Sequence, residues 1–120
     1  MSQDLTLVDT KHLQELYGED KEILSIIFES FLEDSLLIWN QIGTLIELNN
    51  FNEAGQKIHQ IKPNFSMVGL TGIYPLIQEF ERVVKDFNGS DKAGLKAAYD
   101  NLDANVQAGA GNIKLKMESL

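Results

Sequence analysis

Histidine is the strongest candidate for chemistry in this chain, which has two histidines and no cysteine. His59 lies in a segment whose apolar residues recur every three or four positions from Phe51 to Val68, a pattern that predicts an amphipathic helix. On a helical wheel with Phe51 at zero, His59 falls at about 80°, roughly 130° from the centre of the apolar stripe. We therefore expect its imidazole to face solvent, with the Lys62 ammonium one turn further along the helix.

Small or rigid residues surround His59 on this exposed side. Gly55 lies one turn before it, Pro63 lies one turn after it, and Ser66 falls on the same side of the wheel. Because Gly55 fills no gap in the predicted core, we expect it to keep the surface open for a docking partner. An ordinary surface histidine would have the same orientation, so the wheel alone leaves both interpretations open.

Other reactive arrangements are poorly represented in the sequence. Carboxylate-bridged metal sites in helical bundles need Glu-x-x-His pairs, and this chain has none. His12 and Glu15 form a single pair of opposite order, and Gly69 and Gly72 lack the lysine and third glycine of a phosphate-binding loop. We predict no metal site, no cofactor and no assembled enzyme active site, and we expect His12 to be an ordinary surface residue.

Length and charge exclude several functional classes. A chain of 120 residues has the length of one domain, so residues 1–120 are predicted to form a single domain. The formal net charge of −8 argues against binding the phosphates of nucleic acid or an anionic membrane surface. The longest apolar run, from Leu36 to Trp39, is far shorter than the ~20 residues needed to span a bilayer. No secretory signal follows Met1, and the expected location is the cytoplasm.

The apolar spacing predicts five helical segments. A short first helix should follow Asp9 or Thr10 as its N-cap and end at Gly18. The longer helices are expected at about residues 20–48, 51–68, 71–88 and from 90 through Ile113, with short breaks between them. Such helices predict an all-α fold, an antiparallel up-down four-helix bundle with a short additional N-terminal helix.

Two prolines allow local predictions. Thr71 is expected to be the N-cap of the fourth segment, with Pro75 in its first turn, where proline is tolerated. Pro63 is expected to bend or interrupt the third segment, because it lacks the N–H that would bond the His59 carbonyl. The predicted core face of the fourth segment consists of Ile73, Leu76, Phe80, Val83 and Phe87.

The segment His59-Gln60-Ile61-Lys62-Pro63-Asn64-Phe65-Ser66-Met67-Val68-Gly69 resembles the signature of histidine phosphotransfer domains of bacterial two-component phosphorelays. That signature is His-x-x-Lys with a glycine ten residues after the histidine. The preceding helix, Ile23 to Leu45, and the downstream Leu76-x-x-Glu79-Phe80-Glu81 extend the resemblance over most of the chain. The chain departs from the pattern at Pro63, where many members have glycine.

This resemblance implies a phosphorelay carrier with no kinase activity of its own. It implies that His59 accepts a phosphoryl group from a receiver-domain aspartate and passes it to another receiver, with Lys62 beside the group. The expected binding surface comprises Gly55, Gln56, Pro63, Ser66 and Gly69. The expected partners are response-regulator receiver domains and a hybrid sensor histidine kinase. The metal and the acceptor carboxylate would come from the partner, since Lys62 is the single cation offered beside His59.

The runner-up hypothesis is a phosphotransfer-inactive helical-bundle module that only docks signalling partners. The presence of both His59 and Lys62 disfavours it.

ATP alone should not label this chain, because it has no nucleotide-binding motif and its net charge is unfavourable for a triphosphate. Incubation with radiolabelled ATP in the absence of a kinase measures this directly. Stoichiometric labelling would contradict the carrier hypothesis.

Overall fold

The computed structural model describes residues 4–120, and these residues form helices and turns without strands. One helical segment contains a π-helical turn, Phe31–Ser35, between two α-helices. The α-helices are α1 Thr10–Tyr17, α2 Lys21–Ser30, α3 Leu36–Glu47, α4 Phe51–Met67, α5 Tyr74–Lys85 and α6 Lys92–Glu118. Helix α4 packs against both α3 and α5, and α6 packs against α2, α3 and α5.

Aspartate side chains cap the N-termini of three helices, α1, α2 and α6. Asp9, Asp20 and Asp91 each accept a hydrogen bond from a backbone N–H of the first turn, at 2.9–3.0 Å. These caps satisfy N–H groups that have no partner within the helix. The expectation for Thr71 is wrong, because its hydroxyl donates to Asp9 Oδ2 at 3.1 Å and α5 begins after Ile73 without a side-chain cap.

The π-helical turn changes which residues of the second segment face the core. A single continuous helix was expected there, with one unbroken apolar stripe. The π turn adds one residue to a turn, so side chains after it are rotated by about 100° relative to that expectation. Beyond it the buried residues are Trp39, Ile42 and Ile46, whereas Ile38 and Leu45 are half-buried.

Helix α4 follows its predicted apolar pattern closely. Ala54, Ile58, Ile61 and Phe65 are fully buried. The helix runs from Phe51 to Met67 without a break, so the predicted interruption at Pro63 is wrong, and the predicted bend stays a prediction. Pro63 and His59 are both exposed, so water can bond the His59 carbonyl that proline leaves without a helical donor.

The turn from α4 to α5 is fixed by Gly69. Its φ of +87° is favourable only for glycine, and Leu70 N–H donates to the Phe65 carbonyl at 2.8 Å. The Gly69 carbonyl in turn accepts from Asp9 N–H at 2.8 Å, which joins this turn to the start of α1. After the turn, the side of α5 that is buried consists of Ile77, Phe80, Glu81 and Val84, a face rotated from the predicted one.

The core of the protein is built around Trp39. Its ring stacks on Tyr99 with 4.7 Å between centroids, and its indole Nε1 donates to Asp103 Oδ1 at 2.7 Å. Tyr99 OH donates to the Trp39 carbonyl at 2.7 Å, and burial raises the pKa of this phenol.

Within residues 4–120, no helix is both long and apolar enough to cross a membrane.

Gly43 allows Tyr99 to pack this closely, since a Cβ at position 43 would lie 2.7 Å from Tyr99 Cε1. We expect Gly43→Ala to destabilise the protein by about 1–3 kcal/mol in urea unfolding, the usual cost of overpacking a core. Gly111→Ala is the matched control, because position 111 is also inside a helix and a Cβ there meets open space. That variant should be stabilised by about 0.4–1 kcal/mol. Equal effects at the two positions would contradict this account of Gly43.

Candidate functional site

The His59 imidazole projects from the middle of α4 with one ring nitrogen tethered. Its side chain is 66% exposed, in agreement with the helical wheel, and Nδ1 lies 2.8 Å from Glu81 Oε2 on α5. The hydrogen bond therefore uses the nitrogen that faces the protein. Nε2 lies on the opposite side of the ring, and no hydrogen bond to it is found within residues 4–120.

Glu81 is the centre of the polar cluster between α4 and α5. Its side chain is 8% exposed and has three donors: His59 Nδ1, Lys62 Nζ at 2.7 Å from Oε1, and Lys85 Nζ at 3.1 Å from Oε2. A carboxylate at this depth is stable only when such partners compensate for lost hydration. Three donors on two oxygens provide that compensation.

The charge of Glu81 determines where the imidazole proton lies. Burial raises the pKa of this carboxyl, but hydrogen bonds from Lys62, Lys85 and His59 outweigh burial and lower its pKa to about 2. Glu81 is therefore ionised at neutral pH and can only accept hydrogen bonds. It follows that His59 Nδ1 carries a proton and that, in the neutral ring, Nε2 carries the lone pair.

Lys62 and Lys85 approach Glu81 from different elements. Lys62, one turn after His59 on α4, is 18% exposed, and the hydrogen bond to Glu81 raises the pKa of its ammonium. Lys85, the last residue of α5, is 51% exposed. The side chain of Lys62 is therefore largely enclosed and bonded to Glu81, whereas that of Lys85 is half exposed.

Gly55 does not lie on an open surface, and that prediction is wrong. The residue is buried against α5, and a Cβ at this position would lie 3.3 Å from Lys85 Cγ and 3.8 Å from Val84 Cγ1. The wheel located the core stripe of α4 correctly but took no account of α5, which covers the flank of that stripe. Gly55 therefore makes room for the Lys85 side chain, a packing role that the sequence analysis did not find.

The remaining predicted residues are placed at different distances from the imidazole along α4. Gln56 and Pro63 are exposed on the same helix, one turn on either side of His59. Ser66, two turns away, is half-buried, and its carbonyl accepts from His12 Nε2 at 3.0 Å. Gly69 is buried in the turn after α4. The structure thus brings together His59, Gln56, Pro63 and Lys62, and assigns Ser66 and Gly69 to contacts with α1.

His12 also differs from the expectation of an ordinary surface residue. It is half-buried, and its Nε2 donates to the Ser66 carbonyl, so this nitrogen is already occupied. Of the two histidines, His59 is the one whose side chain is mostly exposed while its Nδ1 is bonded to a carboxylate.

Two residues of the site were missed by the sequence analysis, Glu81 and Lys85. Glu81 appeared only within the downstream segment of the family resemblance, and its role was not assigned. The signal was a carboxylate between the buried positions Phe80 and Val84, because an acidic residue on an apolar face needs a cationic partner. Lys85, four residues later, lies on the same side of α5 and provides one such partner.

Within residues 4–120, no group of three or more histidine and carboxylate side chains is arranged to hold a metal ion.

Comparison of the chain with protein-family models, with curated proteins and with solved structures finds no match. The likeness to histidine phosphotransfer domains therefore stays a prediction. The geometry around His59 is what any functional inference has to explain.

Glu81 should make the stability of the protein dependent on acidic pH. Its lowered pKa means that the ionised carboxylate stabilises the fold above the unfolded-state pKa and that this contribution is lost as the pH falls. Between about pH 5 and about pH 2, the wild type should lose on the order of 2 kcal/mol more unfolding free energy than Glu81→Gln.

The measurement is urea unfolding at a series of pH values. Glu79→Gln is the control, since Glu79 is on the same helix and also paired, with Arg82, but its side chain is 60% exposed. A wild type and a Glu81→Gln variant with parallel pH profiles would contradict the role of the buried carboxylate.

Proposed function

We propose that this chain is a phosphorelay carrier that accepts a phosphoryl group on Nε2 of His59 from a receiver-domain aspartate and passes it to another receiver. The observation that carries the proposal is the tethered imidazole. Glu81 fixes Nδ1 at 2.8 Å, and the ring is otherwise exposed to solvent. A nucleophile held in one tautomer and one orientation suits an in-line displacement at phosphorus.

The proposed fold is the one expected of such a carrier. The four longer helical segments are α2 to α3 with the π turn, α4, α5 and α6, and short connections join them. We propose that they form an antiparallel up-down bundle, with α1 as the short additional N-terminal helix. The contacts of α4 with α3 and α5, and of α6 with the other segments, support this arrangement.

The proposed phosphoryl transfer needs no general base to remove a proton. The Nε2 lone pair forms the N–P bond as the P–O bond of the aspartyl phosphate breaks, and the aspartate leaves as a carboxylate. The proton on Nδ1 stays in place, so the phosphorylated ring becomes cationic. The Glu81 carboxylate, 2.8 Å from Nδ1, stabilises this developing positive charge. Glu81 is thus a positioning residue that acts through the imidazole.

Lys62 is proposed to neutralise part of the charge on the moving phosphoryl group. Its ammonium, held 2.7 Å from Glu81, lies one turn along α4 from His59. The acceptor aspartate and its divalent metal ion are proposed to come from the receiver. On this proposal the chain is a substrate and carrier within signalling complexes, not an enzyme in its own right.

The exposed face of α4 suits a protein partner that must come close to His59. Its exposed side chains are uncharged residues beside the histidine: Asn52, Gln56, Gln60, Pro63 and Met67. Burying such a surface removes no charged group from water. We propose receiver domains and a hybrid sensor histidine kinase as the partners, a cytoplasmic location, and no nucleic-acid or membrane ligand.

The charge distribution along the chain also favours binding of the partner near His59 on α4. Residues 1–50 contain ten acidic and two basic residues, whereas residues 51–120 contain eight of each. The helices that carry His59 and Glu81 therefore belong to the electrically neutral part of the chain. A partner that brings an acidic phosphorylation site meets less repulsion there than at α1 and α2.

The second candidate function is a phosphotransfer-inactive docking module. Exposed apolar side chains on the first helices favour a docking role: Leu16 is 51% exposed and Ile26 is 61% exposed. Docking alone, however, gives no reason for a buried carboxylate to orient an exposed imidazole.

The test is phosphorylation by a phosphorylated receiver, with His59→Gln compared against His12→Gln. We expect acid-labile label on the wild type and on His12→Gln, and no label on His59→Gln, because the His59 side chain is 66% exposed, whereas His12 is half-buried with its Nε2 bonded to the Ser66 carbonyl. Circular dichroism should report the same helicity for all three proteins. Label retained by His59→Gln would overturn the assignment, and no label on any protein would favour the docking module.

A further inference from the structure

The Lys85 ammonium and the His59 imidazole contact the same oxygen atom of Glu81, Oε2. Lys85 Nζ lies 3.1 Å from Glu81 Oε2, and His59 Nδ1 lies 2.8 Å from the same atom. Lys62 uses the other oxygen, Oε1, at 2.7 Å. Lys85 is therefore a neighbour of the imidazole without bonding to it. The distance from Lys85 Nζ to the carboxylate is the longest of the three.

The Lys85 side chain has more freedom than that of Lys62. It is 51% exposed, compared with 18% for Lys62, and both residues line one surface depression beside Glu81. The methylenes of Lys85 pass over Gly55, where a Cβ would lie 3.3 Å from Cγ and 3.9 Å from Cε. A larger residue at position 55 would obstruct this path.

A phosphoryl group on Nε2 would compete with Glu81 for this ammonium. Such a group brings about −1.5 to −2 charges at neutral pH. Glu81 would lose one partner but keep two, the Nδ1 proton of the now cationic ring and the Lys62 ammonium. The buried carboxylate would therefore stay compensated if Lys85 left it.

We propose that Lys85 moves its ammonium from Glu81 to the phosphoryl group when His59 is phosphorylated, and that Gly55 keeps the path for this movement open. Lys85 then stabilises the phosphorylated state more than the free state. It biases the carrier towards holding the phosphoryl group. This inference rests on the proposed function, since it describes how the same site distinguishes its two states.

The experiment measures the equilibrium constant for phosphoryl exchange between this chain and an isolated receiver domain charged by a small acyl phosphate. Lys85→Gln should shift the equilibrium towards the phosphorylated receiver by about two- to fivefold, the range of one solvent-exposed ion pair. Lys85→Arg should restore most of the shift. Lys114→Gln, which removes the same charge from an exposed position on α6, should leave the equilibrium unchanged.

Gly55→Ala tests the path of the side chain separately. In the wild-type background it should shift the equilibrium in the same direction as Lys85→Gln, because the added methyl group crowds Lys85 Cγ. In the Lys85→Gln background it should cause no further shift, since effects that act through one side chain are not additive.

The outcomes separate this inference from the proposed function. Label on His59 with the same equilibrium constant in wild type and Lys85→Gln would overturn the role of Lys85 alone. Additive shifts in the double variant would overturn the role of Gly55. No label on His59 under any condition would overturn both the carrier function and this inference.

Discussion

The buried carboxylate of Glu81 is the interaction on which the site depends. It accepts hydrogen bonds from two residues of α4 and one of α5, so it connects the two helices through charge as well as packing. An ionised group with 8% exposure would destabilise the interface if any large part of this set were missing. The same requirement that keeps the carboxylate stable therefore fixes the orientation of the imidazole and the position of the Lys62 ammonium.

The packing around this cluster is arranged to keep α4 rigid. On one side, Phe65 contacts Phe31 edge-to-face with 5.2 Å between ring centroids, and Asn64 donates to Ser35 at 2.8 Å. Both partners belong to the π-helical turn, so this irregular stretch contacts α4 together with α3. On the other side, Val84 of α5 packs close to Gly55. A helix held on both flanks presents its exposed side chain in a constant direction.

The sequence was sufficient for the features that depend on local patterns. The apolar seam of α4 and the start of α1 after Asp9 each follow from residues near one another in the chain. Features that depend on a neighbouring helix were not predictable in the same way. The π turn arises where two segments pack, the buried face of α5 is rotated towards α4, and the environment of Gly55 is created by Lys85. Glu81 was visible in the sequence, but its three partners lie up to 22 positions away.

The connection at residues 68–73 determines how far along α4 the residues of α5 lie. It is held at Gly69 by the backbone N–H of Asp9 and at Thr71 by the Asp9 carboxylate. Each helical residue advances about 1.5 Å and turns about 100°, so one residue inserted within α5 before Glu81 would turn its carboxylate away from Nδ1. Residues 86–91, in contrast, follow α5 and lead into α6, and a longer connection there leaves the spacing between His59 and Glu81 unchanged. The tolerance of this fold to insertions is therefore unequal: the connection after α5 can lengthen without affecting the histidine site, whereas the first two turns of α5 must keep their length for Glu81 to reach His59.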